Sequence, residues 1–123
     1  MTRRVISVEN ATALRSMLEA VVTAPDATGR SAAIDDYRVA GKTGTGLVVV
    51  NGEYDHNSEV GSFIGMAPAD APRYVVAVTM HVPSNASGGS IAAPAFQEMM
   101  QFTLGHFGVL PTNTAPPKLS IYP

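Results

Sequence analysis

The sequence predicts an α+β fold, an antiparallel sheet flanked by helices. Two observations carry this: apolar residues recur at helical spacing near both ends of the chain, and between them lie three β-rich runs joined by short loops. The length, 123 residues, suits one domain. A chain of that size buries roughly two-thirds of the surface it exposes when unfolded, which is enough for a real core.

Taken in order, Asn10 is a good helix cap, and Leu14, Met17, Leu18, Val21 and Val22 follow at helical spacing until Pro25. The expected helix covers about 10–23, and 26–36 is a connector of small and polar residues. Tyr37-Arg38-Val39-Ala40 alternates, and after a glycine-rich stretch Leu47-Val48-Val49-Val50 resumes strand chemistry. Asn51-Gly52 signals a tight turn, and 53–59 is polar and expected to be exposed. Residues 62–67 read as a short strand and 68–72 as a Pro-bounded turn. The clearest strand is 73–82: Tyr74, Val76, Val78, Met80 and Val82 point one way, and Val75, Ala77, Thr79 and His81 the other. Both faces are largely apolar, so the strand is expected to lie centrally with both faces covered. A Gly/Ser loop leads to a last helix at about 91–106, capped by Ser90, with Pro94 in its first turns. Met99, Met100 and Phe102 are expected in the core. The final residues, 108–123, form a Pro-rich tail.

Composition removes several functions. With 8 basic and 10 acidic side chains, the formal charge of -2 gives no electrostatic case for nucleic acid. No apolar run approaches the roughly 20 residues of a membrane helix. Cysteine is absent, which removes disulfides, thiolate metal sites and cysteine nucleophiles. No cofactor is expected. No metal is expected either: His56 stands near Asp55 and Glu59 in a polar segment without a ligand pattern. Asp35 and Asp36 read as a solvated turn, and His81 and His106 as structural. Arg3 and Arg4 are not followed by the apolar core of a secretory signal, so the chain reads as if a domain were entered midway.

One segment stands out chemically. Gly41-Lys42-Thr43-Gly44-Thr45-Gly46 places an ammonium, two hydroxyls and bare Cα positions within six residues. On a strand Thr43 and Thr45 share one side and, with Lys42, can grip a carboxylate, while the glycines admit a peptide backbone. A strand N–H can also face a developing oxyanion. A phosphate-binding loop is the poorer reading, because that pattern needs glycine where Asp36 stands and a helix where 47–50 is strand-like. A flexible sheet edge without function is the remaining alternative.

Tyr37–Thr45 resembles the Lys-Thr-Gly strand of class B penicillin-binding proteins, the monofunctional peptidoglycan D,D-transpeptidases. The stretch 62–76 resembles the family's next two strands and their Pro-rich turn, 88–96 the start of its final helix, and 3–7 with the following helix the segment before the connector. The likeness covers about 3–107, so 1–107 is expected to be the C-terminal part of a transpeptidase domain of the serine beta-lactamase/penicillin-binding fold. By that resemblance Lys42 shares in proton movement around a serine nucleophile. Thr43 and Thr45 bind the terminal carboxylate of a D-alanyl-D-alanine stem peptide, Gly44 and Gly46 let it approach, and the Thr45 N–H contributes to the oxyanion hole. Beta-lactams mimic that substrate. The resemblance also implies an extracytoplasmic location at the bacterial membrane, anchored through an upstream segment, and contact with other cell-wall synthesis or division proteins.

The nucleophile is missing from these residues. No serine is followed three positions later by lysine, the lysines are Lys42 and Lys118, and no Ser-x-Asn tripeptide occurs. An upstream polypeptide segment carrying Ser-x-x-Lys and Ser-x-Asn is therefore the expected partner, pairing in the family with the far edge of the 73–82 strand. A serine beta-lactamase, a beta-lactam sensor and a non-catalytic peptide-binding module are the alternatives.

Overall fold

Ser7, rather than Asn10, starts the first helix. Its backbone is extended, and its hydroxyl accepts from the Asn10 N–H at 3.2 Å, so α1 runs Val8–Thr23 and begins earlier than its apolar spacing indicates. Ala24 is extended at φ -67°, ψ 151°, as a residue before proline tends to be. The structure, a computed structural model, describes residues 3–83 and 87–119. The expected loop at Ser84-Asn85 and the last residues of the tail lie outside them.

β1 (Ala40–Val50), β2 (Glu53–Ala67) and β3 (Tyr74–Pro83) make one antiparallel sheet in the order β1-β2-β3. β1 runs through its glycines without a break, and Tyr37–Val39 stay outside it. Asn51 and Gly52 both have positive φ, 54° and 87°, the geometry that lets a two-residue loop join twisted strands. That turn draws the polar 53–59 segment into β2, where a loop was expected: Val48, Val49 and Val50 pair with Asp55, Tyr54 and Glu53. The register then jumps between Leu47 and Val48. The irregularity is stitched by Asp55, which accepts from Ser58 Oγ at 2.7 Å and the Asn57 N–H at 2.9 Å. The Ser58 hydroxyl first, and then the Asn57 amide, hold the Asp55 carboxyl below the ordinary aspartate value.

α2 runs Gly88–His106 and covers one face of the sheet. It too starts earlier than expected, because Ser87 is the cap and Ser90 its reciprocal partner in a capping box. Its buried stripe is Ala92, Ala93, Phe96, Met100 and Leu104. Beneath it lie the alternate residues Gly61, Phe63, Gly65 and Ala67 of β2, with Val78 of β3. Phe63 and Phe96 meet with ring centroids 4.7 Å apart. Met100 is core as expected. Met99 and Phe102 are not: they sit to one side of the stripe and are 53% and 72% exposed.

β3 corrects the expectation that both its faces are covered. Its two faces separate as the alternation predicts, but only the Tyr74–Val78–Met80 face is packed on the core. Val75, Ala77, Thr79 and His81 are exposed, and among the described residues the outer edge of β3 has no partner strand. Among the described residues β2 is central and β3 an edge, which is the unpaired edge that the sequence reading leaves for upstream strands to fill.

α1 packs beside β1 and is fixed by one buried ion pair. Arg38 Nη2 donates to Glu19 Oε1 at 2.8 Å and Nε to Oε2 at 3.0 Å, with the Glu19 side chain 1% exposed. Arg38 Nη1 also donates to Thr114 Oγ1 at 3.1 Å. Residues 107–119, after α2, have no helix or strand, yet Val109, Thr112 and Thr114 are bonded to the 36–38 segment. Tyr37 Oη donates to Val109 O at 2.6 Å, and the Thr112 N–H to Asp36 O at 2.8 Å.

Candidate functional site

The register of β1 divides the glycine-threonine segment between two faces. Gly41, Thr43 and Thr45 stand opposite Gly65, Phe63 and Gly61, on the side that α2 covers. Lys42, Gly44 and Gly46 stand opposite Ile64, Ser62 and Val60, on the uncovered side. Lys42 nonetheless bends back along the strand, donating from Nζ to Thr43 O at 2.9 Å and to Thr43 Oγ1 at 3.2 Å. The structure thus brings the ammonium and the first hydroxyl together. Lys42 and Thr45 are exposed and Thr43 is half-buried.

Both hydroxyls are held from behind by residues that the sequence reading did not select. Thr45 Oγ1 accepts from the Gly88 N–H at 3.2 Å, which satisfies an orphan donor in the first turn of α2. Thr43 Oγ1 lies 3.2 Å from Thr28 Oγ1, in the connector after α1. The 19-residue α2 therefore aims its positive end at the strand. The cation, the hydroxyls and this helix end form a strip suited to a carboxylate. β1 is also the outer strand of the sheet, so along its free edge alternate backbone N–H groups lack a strand partner among the described residues.

The sequence reading set Gly88-Gly89 in the Gly/Ser loop before the last helix. The structure puts them in the first turn of α2, directly behind the Lys-Thr-Gly strand. A Cβ at Gly88 would fall inside contact distance of Ser62 O and Gly44 O and lie 2.9 Å from Ser62 N, all backbone atoms that cannot swing aside. The double glycine is the signal that could have revealed this close approach. Gly88→Ala is accordingly expected to push α2 off β1 and β2 and to cost about 1–3 kcal/mol. Thermal unfolding against the unsubstituted protein checks it; an unchanged midpoint would mean that the helix start yields freely.

Other candidates stay apart from the strip. Asp35 and Asp36 form an exposed turn, with Tyr37 N–H donating to Ile34 O at 3.2 Å. The Asp55 carboxylate is occupied by Ser58 and Asn57. His106 ends α2, stacked on Phe102 at 5.6 Å and edge-on to Phe107 at 4.9 Å. His81 is exposed on the uncovered side of β3. A cavity of about 430 Å³ between the β2–β3 turn and residues 107–113 includes no residue of the Lys-Thr-Gly strand.

The sequence model described as "Penicillin binding protein transpeptidase domain" matches residues 1–101. The chain is 42% identical over 123 residues to the probable peptidoglycan D,D-transpeptidase PenA of Neisseria flavescens, covering 95% of this chain and 30% of that protein. It is 43% identical over 111 residues to stage V sporulation protein D of Bacillus subtilis, covering 89% and 17%. The chain therefore spans less than a third of the length of these relatives. Among solved structures, the apo transpeptidase domain of Burkholderia pseudomallei penicillin-binding protein 3 superposes with TM-score 0.79 at 40% identity, over 94% of this chain and 35% of that one. Penicillin-binding protein 3 of Mycobacterium tuberculosis, complexed with ampicillin, gives 0.78 at 32% identity, over 93% and 27%. With its sheet, its flanking helices and its Lys-Thr-Gly strand, the chain belongs to the penicillin-binding protein transpeptidase domain family.

Proposed function

We infer that the chain serves peptidoglycan D,D-transpeptidation by forming the substrate-binding wall of the active site. The observation that carries this is the convergence of Lys42 with Thr43, and of Thr45 with the start of α2, on an outer strand of the sheet. Thr43 and Thr45 donate to the terminal carboxylate of a D-alanyl-D-alanine stem peptide, and Lys42 supplies positive charge and shares in proton movement. Gly44 and Gly46 let the peptide backbone lie against β1, and the Thr45 N–H stabilises the oxyanion.

The nucleophile is a serine of a Ser-x-x-Lys segment that is not within these 123 residues. Its Oγ attacks the carbonyl between the two D-alanines, the C–N bond breaks, and D-alanine leaves with a proton. The amine of a neighbouring stem peptide then attacks the ester, and the serine regains its hydrogen. A beta-lactam acylates the same serine, but its amine leaving group stays tethered, so deacylation is slow. The activity belongs to the outer face of the bacterial membrane. No helix among the described residues is long and apolar enough to cross a bilayer. The likeness to membrane-anchored penicillin-binding proteins is what assigns an anchor to a segment outside them.

Labelling with a fluorescent penicillin, followed by intact mass and peptide mapping, tests this reading. The adduct is expected on a Ser-x-x-Lys serine, either continuous with this chain or in a polypeptide bound to it. A protein that binds carboxylate-terminated peptides yet takes no label would be a non-catalytic binding module. Label on a serine of these 123 residues would overturn the assignment of the site. Rapid hydrolysis of the acyl-enzyme would indicate a beta-lactamase instead.

A further inference from the structure

Thr28 lies outside the Lys-Thr-Gly strand, yet its hydroxyl touches it. A hydroxyl has one proton to donate and two lone pairs that accept. The Lys42 ammonium can only donate, so it takes one lone pair of Thr43 Oγ1, at 3.2 Å. Thr28 Oγ1 stands 3.2 Å from the same oxygen. If Thr28 donates, both lone pairs of Thr43 are engaged and its proton is free to face a ligand. If Thr43 donated instead, it would spend its single proton on Thr28 and present none to a carboxylate.

The support under Thr28 is tightly built. The Gly29 N–H donates to Val21 O at 3.0 Å, at the end of α1. A Cβ on Gly29 would lie 2.9 Å from Val21 O and 3.0 Å from the Phe63 ring, and one on Gly89 would fall inside contact distance of Thr28 O. The Thr28 backbone is therefore held between α1, β2 and the first turn of α2, and its hydroxyl is presented from a fixed position.

We propose that Thr28 is a positioning residue, which donates to Thr43 and thereby aims the Thr43 proton at the carboxylate of the acyl donor. This rests on the transpeptidase reading of the same strand. Thr28 touches no substrate; it acts through Thr43. The ligand class is an amide or lactam carrying a free carboxylate.

The test compares acylation rates of the full-length protein by a penicillin and by its methyl ester, which cannot be gripped as an anion. Thr28→Val is expected to slow acylation by the free acid about fivefold, the equivalent of one ordinary hydrogen bond, and to leave the ester rate unchanged. Thr28→Ser is expected to restore the free-acid rate. Equal slowing with both ligands, or none with either, would overturn the inference. Should the valine disturb the connector, seen as a lowered unfolding midpoint, Thr28→Ala gives the same acid-to-ester comparison. An unsubstituted protein that penicillin fails to acylate would overturn the transpeptidase reading itself, and the role of Thr28 with it.

Discussion

Replacing Lys42 by alanine is expected to slow acylation of the full-length protein by fluorescent penicillin at least about a hundredfold, within the range that a positioned acid–base group contributes. The argument is local. Lys42 Nζ is bonded to Thr43 O and Thr43 Oγ1, so its removal takes away the cation, the group that engages one side of the Thr43 hydroxyl and, in the proposed mechanism, a proton carrier. Lys42→Arg separates these roles, since a guanidinium keeps the charge but does not release its proton. The arginine variant is expected to recover binding of a carboxylate ligand without recovering the acylation rate. Full recovery of both would show that charge alone is required. Because Lys42 is exposed, neither change should shift the unfolding midpoint appreciably.

Glu19→Ala should produce the largest loss of stability, about 3 kcal/mol, read from urea or thermal unfolding. Glu19 is the charged residue at the core of the α1 contact, 1% exposed, and it receives two hydrogen bonds from Arg38. Removing it leaves a guanidinium that is itself only 16% exposed without its anion. The lower end of the usual range for a broken buried pair applies, because Arg38 retains Thr114 and some solvent. Glu19→Gln keeps the shape and one acceptor, so it should cost less. A smaller effect for alanine than for glutamine would mean that the pair does not hold α1 to β1.

What the sequence made legible followed from local pattern. Alternation along 74–82 separated the two faces of β3 correctly, and Asn51-Gly52 announced the hairpin. The features that escaped it depend on partners distant along the chain. Both helix caps lie three residues before the ones the sequence suggests, because Ser7 and Ser87, not Asn10 and Ser90, take the first-turn donors, and apolar spacing says nothing about caps. The polar 53–59 run joins β2 because pairing is set by the turn, whereas polarity records only that nothing covers it. The apolar side chains of β3 correctly signalled a surface that favours cover, but not whether these residues supply it. The candidate strip was visible as a set of residue types. Its supports were not, since Thr28 is 15 and Gly88 43 residues from the threonines they meet.

The bond between the Gly88 N–H and Thr45 Oγ1 limits how this strand can evolve. On the transpeptidase reading proposed above, Thr45 offers its proton outward to the ligand carboxylate, while its oxygen accepts inward from the start of α2. A lineage under antibiotic pressure cannot abolish the first without forfeiting the second, because one oxygen serves both. Serine is the replacement that preserves the two together. Escape from an inhibitor at this position is therefore coupled to the integrity of the helix behind it, and tolerated change should accumulate elsewhere along the strand first.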